Sequence, residues 1–464
     1  MLFSSFSFLF WFLPLTLILY FLPVYARWGG DARRLAWQNA VLLVCSLFFY
    51  AWGEPLYVLL MLLTVAVNAG LALRIGRGTH RRLWLWSAVL FDVGLLLYFK
   101  YLPLVGLPAP RLPLGISFYT FQALSYVADV YLGRARAQRS LLTVALYVAL
   151  FPQLIAGPIV RYTDVEGALR DRAVSVTDAA AGVRRFTVGL AKKLLLANPA
   201  GALFAAFGAA GADSAVRAWL ALLGFSFQIY FDFSGYSDMA IGLGRLLGFR
   251  FPENFQYPYM ATSVTDFWRR WHITLSSFFR EYVYFPLGGS RRGRGRTVLN
   301  LLVVWALTGL WHGASWNFLL WGLYYFALLL LEKLVFRDFL TRLPTILRIL
   351  LTFGATLLGW GLFAFDGSTA ALQLSRLPAF LATLLGLGPR GLAFGSDLYD
   401  LARSLPLLLL CAIGATPWPR RWFRRQTVRK NGGFARAALP LAALLLCIVT
   451  LADAGYNPFL YFRF

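Results

Sequence analysis

Apolar runs about as long as a bilayer is thick recur from the first residues of this chain to the last, and no other feature limits its fold so severely. A membrane span needs about 20 mostly apolar residues. Candidates lie at 4–25, 37–54, 56–73, 83–101, 117–132, 141–160, 186–208, 215–233, 298–312, 315–335, 345–365, 377–388, 403–418 and 435–454. A water-soluble core cannot absorb them. Of 464 residues, 59% are hydrophobic and 14% charged, against roughly 25% charged in an average soluble domain. Lipid offers no hydrogen-bond partners, so a spanning backbone must satisfy itself, as an α-helix does. The expected fold is all-α and polytopic. Some runs are too short or too polar to cross, which leaves about ten to twelve transmembrane helices plus re-entrant or interfacial ones. We expect one membrane domain over 1–464, with N-terminal helices in 1–224, a motif-bearing core in 225–335 and C-terminal helices in 336–464.

Lys plus Arg number 44 and Asp plus Glu 20, a net +24 that in a soluble chain would suggest nucleic acid. The placement of the charges argues against that partner. They cluster between apolar runs, at Arg27, Arg33 and Arg34, at Arg74, Arg77, Arg81 and Arg82, at Arg134, Arg136 and Arg139, at Arg291 through Arg296, and at Arg420 through Lys430. Such clusters mark the cytoplasmic ends of spans. Residues 1–26 carry no charged side chain, so the first helix starts outside and ends in the cytoplasm; lacking a basic start and an A-x-A-like site, it reads as a span rather than a signal peptide. The runs 37–54 and 56–73, joined at Gly53-Glu54-Pro55, leave and return. Alternation then fails, because 161–193 would emerge outside while holding Arg170, Arg172, Arg184, Arg185, Lys192 and Lys193. One segment near 102–160 is therefore expected to be re-entrant or interfacial, which needs protein or water to satisfy its backbone.

The stretch 225–315 is aromatic, polar and Gly-rich at once, too polar for lipid and too aromatic for a linker. It reads as a protein-lined interior at or near membrane depth. Two of the three histidines lie in it; the third, His80, sits in a basic loop and reads as solvated. His312 closes an apolar run in Leu310-Trp311-His312-Gly313, where an ionisable group is costly and a functional hypothesis by default. Gly309 and Gly313 would let another backbone or a substrate come close. A general base is one reading; a neutral histidine bonded to a carbonyl between helices is the other. His272 ends Asp266-Phe267-Trp268-Arg269-Arg270-Trp271-His272, with Asp266 and Arg270, and Trp268 and His272, at i, i+4 on a helix. That pattern also suits an interfacial amphipathic helix.

Asp232 and Asp238, with Gln228 four residues before Asp232, are carboxylates in an apolar setting and must be paired, hydrated or protonated. They either orient a site or form a structural network. Asp92, also in an apolar run, is assigned no role. The loop Gly288 to Arg296 offers Arg291, Arg292, Arg294 and Arg296 on a flexible backbone, as a diphosphate-bearing ligand would favour; it serves equally as an ordinary cytoplasmic basic loop. It is no Walker loop. Cys45, Cys411 and Cys447 show neither disulfide nor zinc spacing, and no metal cluster is expected.

Four segments resemble the membrane-bound O-acyltransferase family, specifically its bacterial alginate O-acetyltransferase branch. They are Leu112 to Gln122, Phe151 to Ile159, Asp232 to Asp238, and Asp266 to His272 followed by Trp311-His312-Gly313. The resemblance covers residues 1–335 and returns at Asn457-Pro458-Phe459 to Phe464. It implies a ring of helices with a thinned centre, where a cytoplasmic acyl donor meets an acceptor reached from the other face. It implies further that His312 is catalytic and that His272 is a second active-site residue. Asp232, Asp238, Gln228, Trp311, Trp268 and Arg269 are our own candidates for residues that support the site.

The implied enzyme is an acetyl-CoA-dependent O-acetyltransferase of the inner or plasma membrane, with no permanently bound cofactor. Its partners are acetyl-CoA, membrane lipids and an envelope or exported polysaccharide acceptor: alginate-like, cellulose or peptidoglycan. D-alanyl transfer toward teichoic acid is the alternative within the resemblance. Without a Gly-x-Ser-x-Gly elbow or a soluble catalytic domain, final transfer is expected to use an extracytoplasmic acetyltransferase or acyl-carrier partner. A transporter or flippase would show inverted repeats, and none is visible; a passive scaffold would tolerate a changed His312. The charge pattern makes Arg27–Arg34, Arg74–Arg82 and Arg420–Lys430 cytoplasmic. Arg77→Cys and Arg425→Cys should therefore resist an impermeant thiol reagent added to intact cells, and labelling at either position would show the orientation to be inverted.

Overall fold

The computed structural model describes residues 1–102, 107–108, 110–208, 212–365, 372–428 and 432–453. Lys430 and the segment Asn457 to Phe464 lie outside the described residues. Within them the chain is helical, with no strand. The helices are α1 (Leu13–Tyr25), α2 (Asp31–Ala51), α3 (Tyr57–Gly76), α4 (Arg81–Tyr101), α5 (Ile116–Tyr131), α6 (Leu141–Ala149), α7 (Tyr162–Arg170), α8 (Val176–Ala191), α9 (Asn198–Phe207) and α10 (Ala215–Leu246). They continue as α11 (Val264–Arg270), α12 (Ile273–Phe279), α13 (Arg294–His312), α14 (Trp316–Leu331), α15 (Arg337–Arg342), α16 (Thr345–Ala364), α17 (Leu377–Leu384), α18 (Asp397–Gly414), α19 (Trp418–Val428) and α20 (Gly432–Asp453). Two compact units result, one from Met1–Leu190 with Tyr236–Glu253, the other from Ala191–Gly235 with Asn254–Phe464.

Among the described residues, seven helices are long and apolar enough to cross a membrane: Ser7–Tyr25, Asp31–Ala51, Tyr57–Gly76, Arg81–Tyr101, Val176–Phe207, Trp316–Phe336 and Thr345–Ala364. Asp397–Gly414 and Trp418–Thr427, bent by 68°, would together make an eighth. That count falls short of the expected ten to twelve, for two reasons. The apolar runs at 117–132 and 141–160 fold as helices of only 16 and 9 residues. The runs at 215–233 and 298–312 belong to α10 and α13, of 32 and 19 residues, but these carry the polar block, and every residue from Gly224 to Ala240 is buried.

In the first unit, α2 and α3 flank the turn at 52–56, as the Gly53-Glu54-Pro55 signal requires. Where charge alternation failed, α6 gives way to irregular backbone that is buried throughout Leu150–Val160. Such backbone survives only if protein satisfies it, and it does. The Phe151 N–H donates to Ser46 Oγ at 3.0 Å, the Tyr147 hydroxyl donates to the Val160 carbonyl at 2.9 Å, and the Gln153 amide donates to the Tyr147 carbonyl. Gly115, at φ +72°, lies so close that a β-carbon would meet the Leu154 carbonyl at 2.9 Å. The segments Leu112 to Gln122 and Phe151 to Ile159 thus build this buried turn.

Much of the positive charge in 161–193 is not loop charge at all. Arg172 donates to the Tyr20 hydroxyl at 2.8 Å and to Asn39 at 2.7 Å, and that hydroxyl donates to the Leu247 carbonyl. Arg185 pairs with Asp238 and Glu253, each at 2.6 Å. Counting these residues as cytoplasmic markers overstated the break in alternation.

In the second unit, α13 and α14 cross at glycines. A β-carbon on Gly309 would collide with the Phe318 carbonyl, and one on Gly322 would collide with the Trp305 carbonyl and lie 3.4 Å from Gly309 Cα. Small residues let membrane helices approach this closely. Of the two possibilities for Gly309, it is therefore a backbone that comes close. Gly322→Leu should destabilise the protein by about 1–3 kcal/mol or more, as overpacking does, while Gly354→Ala, with nothing within 4 Å of the new carbon, should be neutral or mildly stabilising. Thermal unfolding in detergent checks both, and equal melting of the two variants would refute the crossing.

Candidate active site

In the second unit His272 and His312 share one aromatic wall, and Asp232 is paired with Lys193. His312 is the last residue of α13 and is buried. Its ring is boxed by Trp311 at 4.9 Å, Trp321 and Phe363 at 5.1 Å and Phe318 at 6.2 Å between centroids. Asn317 on α14 donates to the Phe363 carbonyl at 3.1 Å and so ties the end of α16 to this box. Gly313 is extended at φ 172°; a β-carbon there would come within 2.8 Å of the Phe318 ring. Both glycines beside His312 thus serve close packing onto α14.

His272 sits differently from the expected i, i+4 partner of Trp268. Helix α11 stops at Arg270, and His272 stands in the left-handed region at φ +41° as the residue before α12. A non-glycine residue held there costs on the order of 1–3 kcal/mol and persists only where its surroundings enforce it. Helix α11 is itself firmly started: Ser263 Oγ accepts from the Asp266 N–H at 3.1 Å, and the Glu332 carboxylate accepts from the Val264 and Thr265 N–H groups at 2.6 and 3.2 Å. Asp266 and Arg270 make the expected pair at 2.8 Å. Trp268, Trp271 and His272 are all buried in protein. Trp268 packs at 4.7 Å on Trp305 and 5.6 Å on Trp321, whereas Arg269 is exposed and takes no part in the wall.

The break turns the His272 ring inward. Phe233 meets it edge-on at 4.6 Å, and Trp311 lies 6.2 Å away, so Trp311 is the common neighbour of both histidines. Nδ1 of His272 is 3.0 Å from Asn254 Oδ1. His272 lies outside the spanning helices, and burial pushes its pKa down to about 3. The ring is therefore neutral at physiological pH.

Asp232 faces Lys193, its Oδ1 2.8 Å from Nζ, with each side chain only 3% exposed. Lys193 lies in the π-helical turn Lys192–Ala197 between α8 and α9, and π turns are frequent at functional sites. Lys192 rests 5.9 Å over the Tyr230 ring and 3.5 Å from Ser234 Oγ. Gln228, one turn before Asp232, is pressed on Gly201, where a β-carbon would come within 2.5 Å of its amide nitrogen. Asp238, six positions further along α10, pairs with Arg185 at 2.6 Å. Sequence reasoning missed Lys193, Asn254, Asn317 and Trp321. For Lys193 a signal existed, an ionisable residue inside the run 186–208.

Arg291, Arg292, Arg294 and Arg296 are exposed, on a loop bent by Gly288 and Gly293 at φ +104° and +87°. Asn300 holds it by donating to the Gly289 carbonyl at 2.9 Å. They stand at the opposite end of α13 from His312, about 27 Å away at the rise of an α-helix. Among the described residues no three His, Cys, Asp or Glu side chains are grouped to hold a metal ion.

A multi-pass helical membrane protein with two histidines buried in one aromatic wall is the class these observations define. The chain belongs to the membrane-bound O-acyltransferase family, MBOAT, whose model matches residues 6–354. It is 39% identical over 395 residues to a Pseudomonas aeruginosa protein described as probable alginate O-acetylase AlgI, covering 81% of this chain and 74% of that relative. A Pseudomonas putida protein of the same description is 35% identical across the full length of both chains. Peptidoglycan O-acetyltransferase of Helicobacter pylori is 35% identical over 429 residues, 81% of this chain and 79% of that one.

The buried pair yields a double-mutant test. Removing one partner of a buried ion pair typically costs about 3–5 kcal/mol, while replacing both by apolar residues is often neutral or stabilising. Lys193→Met and Asp232→Leu should each lower the melting temperature sharply, and the double variant should recover much of the loss. Additive losses would show that the two side chains are not coupled.

Proposed function

We propose that this protein transfers an acetyl group from cytoplasmic acetyl-CoA to a hydroxyl of an exported or envelope polysaccharide, from the inner or plasma membrane. The observation that carries the reading is the burial of His312 and His272 on either side of Trp311. His312 takes the proton of the attacking hydroxyl, and that oxygen bonds to the thioester carbonyl carbon. The tetrahedral intermediate collapses by breaking the carbon–sulfur bond, and the departing thiolate recovers the proton from His312. No proton is gained or lost overall. A base at the C-terminal end of α13, the negative end of the helix dipole, suits a ring that becomes cationic during the reaction. The aromatic wall keeps water, a competing acceptor, from the thioester.

The arginines at 291, 292, 294 and 296 hold the phosphates of the donor. Their separation from His312 calls for an extended donor with its phosphates at one end and its thioester at the other, which is the shape of an acyl-CoA. An extracytoplasmic acetyltransferase or acyl carrier completes delivery to the polymer. The names of the relatives support alginate or peptidoglycan as the acceptor class.

His312→Ala and His312→Gln should lower acetyl transfer by about 10²–10⁴-fold, the usual contribution of a general base, in protein that still inserts and melts normally. The assay is transfer of labelled acetyl from acetyl-CoA by reconstituted enzyme. Near-wild-type turnover in well-folded His312→Ala would overturn the mechanism. In the same assay, replacing the four arginines by Gln should raise the Michaelis constant for the donor.

A further inference from the structure

Asn254 is fully buried in the segment before α11, and its side-chain oxygen collects three contacts. Besides His272 Nδ1 at 3.0 Å, Oδ1 lies 3.3 Å from the Thr274 backbone nitrogen and 2.9 Å from Thr274 Oγ1. The Asn254 backbone carbonyl accepts from the Ile273 N–H at 3.0 Å. This one residue therefore holds the first two N–H groups of α12 and clamps the left-handed turn at His272.

The clamp also fixes a proton. An amide oxygen and nitrogen are told apart by their partners, and a backbone N–H can only donate. The atom facing the Thr274 N–H must be the oxygen, because a flipped amide would set donor against donor. An oxygen facing Nδ1 requires that Nδ1 carry the hydrogen. In a neutral imidazole the other nitrogen, Nε2, then bears the lone pair.

We infer that Asn254 is a positioning residue that locks His272 in the Nδ1–H tautomer, so that Nε2 carries a lone pair, accepts a hydrogen bond from an acceptor hydroxyl next to the reacting one and cannot donate one to the oxyanion. This rests on the reading that His272 lines the acyl-transfer site. It divides the work between the histidines: His272 orients the acceptor through the neighbouring hydroxyl, and His312 removes the proton of the reacting hydroxyl.

The test is nitrogen NMR of full-length protein in lipid bilayers with ¹⁵N-labelled histidine, which separates a protonated from a lone-pair ring nitrogen. The chain has three histidines, and the His272 signals are those lost in His272→Gln. Wild type and Asn254→Asp, which keeps an acceptor oxygen, should show Nδ1–H with Nε2 unprotonated. Asn254→Leu should move the proton wholly or partly to Nε2 and lower turnover about 10–100-fold, as loss of an orienting partner does. A wild-type His272 protonated at Nε2 overturns the inference, and so does an unchanged signature in Asn254→Leu. Should Asn254→Leu fail to insert, the wild-type and Asn254→Asp spectra still decide. The expected tautomer together with undiminished turnover in Asn254→Leu and His272→Gln would instead remove His272 from the site and leave the pairing standing.

Discussion

Lipid cannot accept or donate a hydrogen bond, and the architecture follows from that refusal. Backbone facing lipid must be helical, and backbone that is not helical must lie inside protein. The buried segment Leu150–Val160 obeys the rule through side-chain partners on Ser46, Tyr147 and Gln153. The break between α11 and α12 obeys it through Asn254. Side chains face the same demand, so the polar residues of 225–315 are turned inward. There Asp232 finds Lys193, and His312 is enclosed by aromatic rings.

How much of this was legible depended on whether the signal was local. Span length and hydrophobicity are sums over neighbouring residues, and the runs at 37–54, 56–73, 83–101, 315–335 and 345–365 overlie the helices at 31–51, 57–76, 81–101, 316–336 and 345–364. His312 was equally legible, because one ionisable residue against a glycine-flanked apolar run is anomalous on its face. The break at His272 was not. Asp266 to His272 has good helical spacing, and what stops the helix at Arg270 is an asparagine 18 positions upstream, a contact no periodicity encodes. Lys193 was misassigned because a charge count treats every cation as solvated. Three of the cations in 161–193 are spent on Asp238, Tyr20 and Asp232.

The same limit governed the carboxylates. Asp232 and Asp238 are six positions apart on α10 and looked like one network. Yet Asp232 pairs with Lys193, and Asp238 with Arg185, which also reaches Glu253. Proximity in sequence along α10 says nothing about which partner a side chain finds.

The two histidines differ in ways that set what each can do. His272 is enclosed and neutral, its pKa near 3 through burial, so it rarely holds a second proton and serves poorly as a base that must take one at each turnover. Its strained backbone and three-contact asparagine buy orientation, which is the quality a hydrogen-bond acceptor needs. His312 closes a regular helix whose negative dipole end favours a transient cation, and its position is set by the glycine crossing of α13 and α14. On the roles proposed above, a base and an orienting acceptor that share Trp311 as neighbour can act on one acceptor molecule only if both rings are held to a fraction of an ångström. A rigid wall would then serve the proposed chemistry as well as the exclusion of lipid and water.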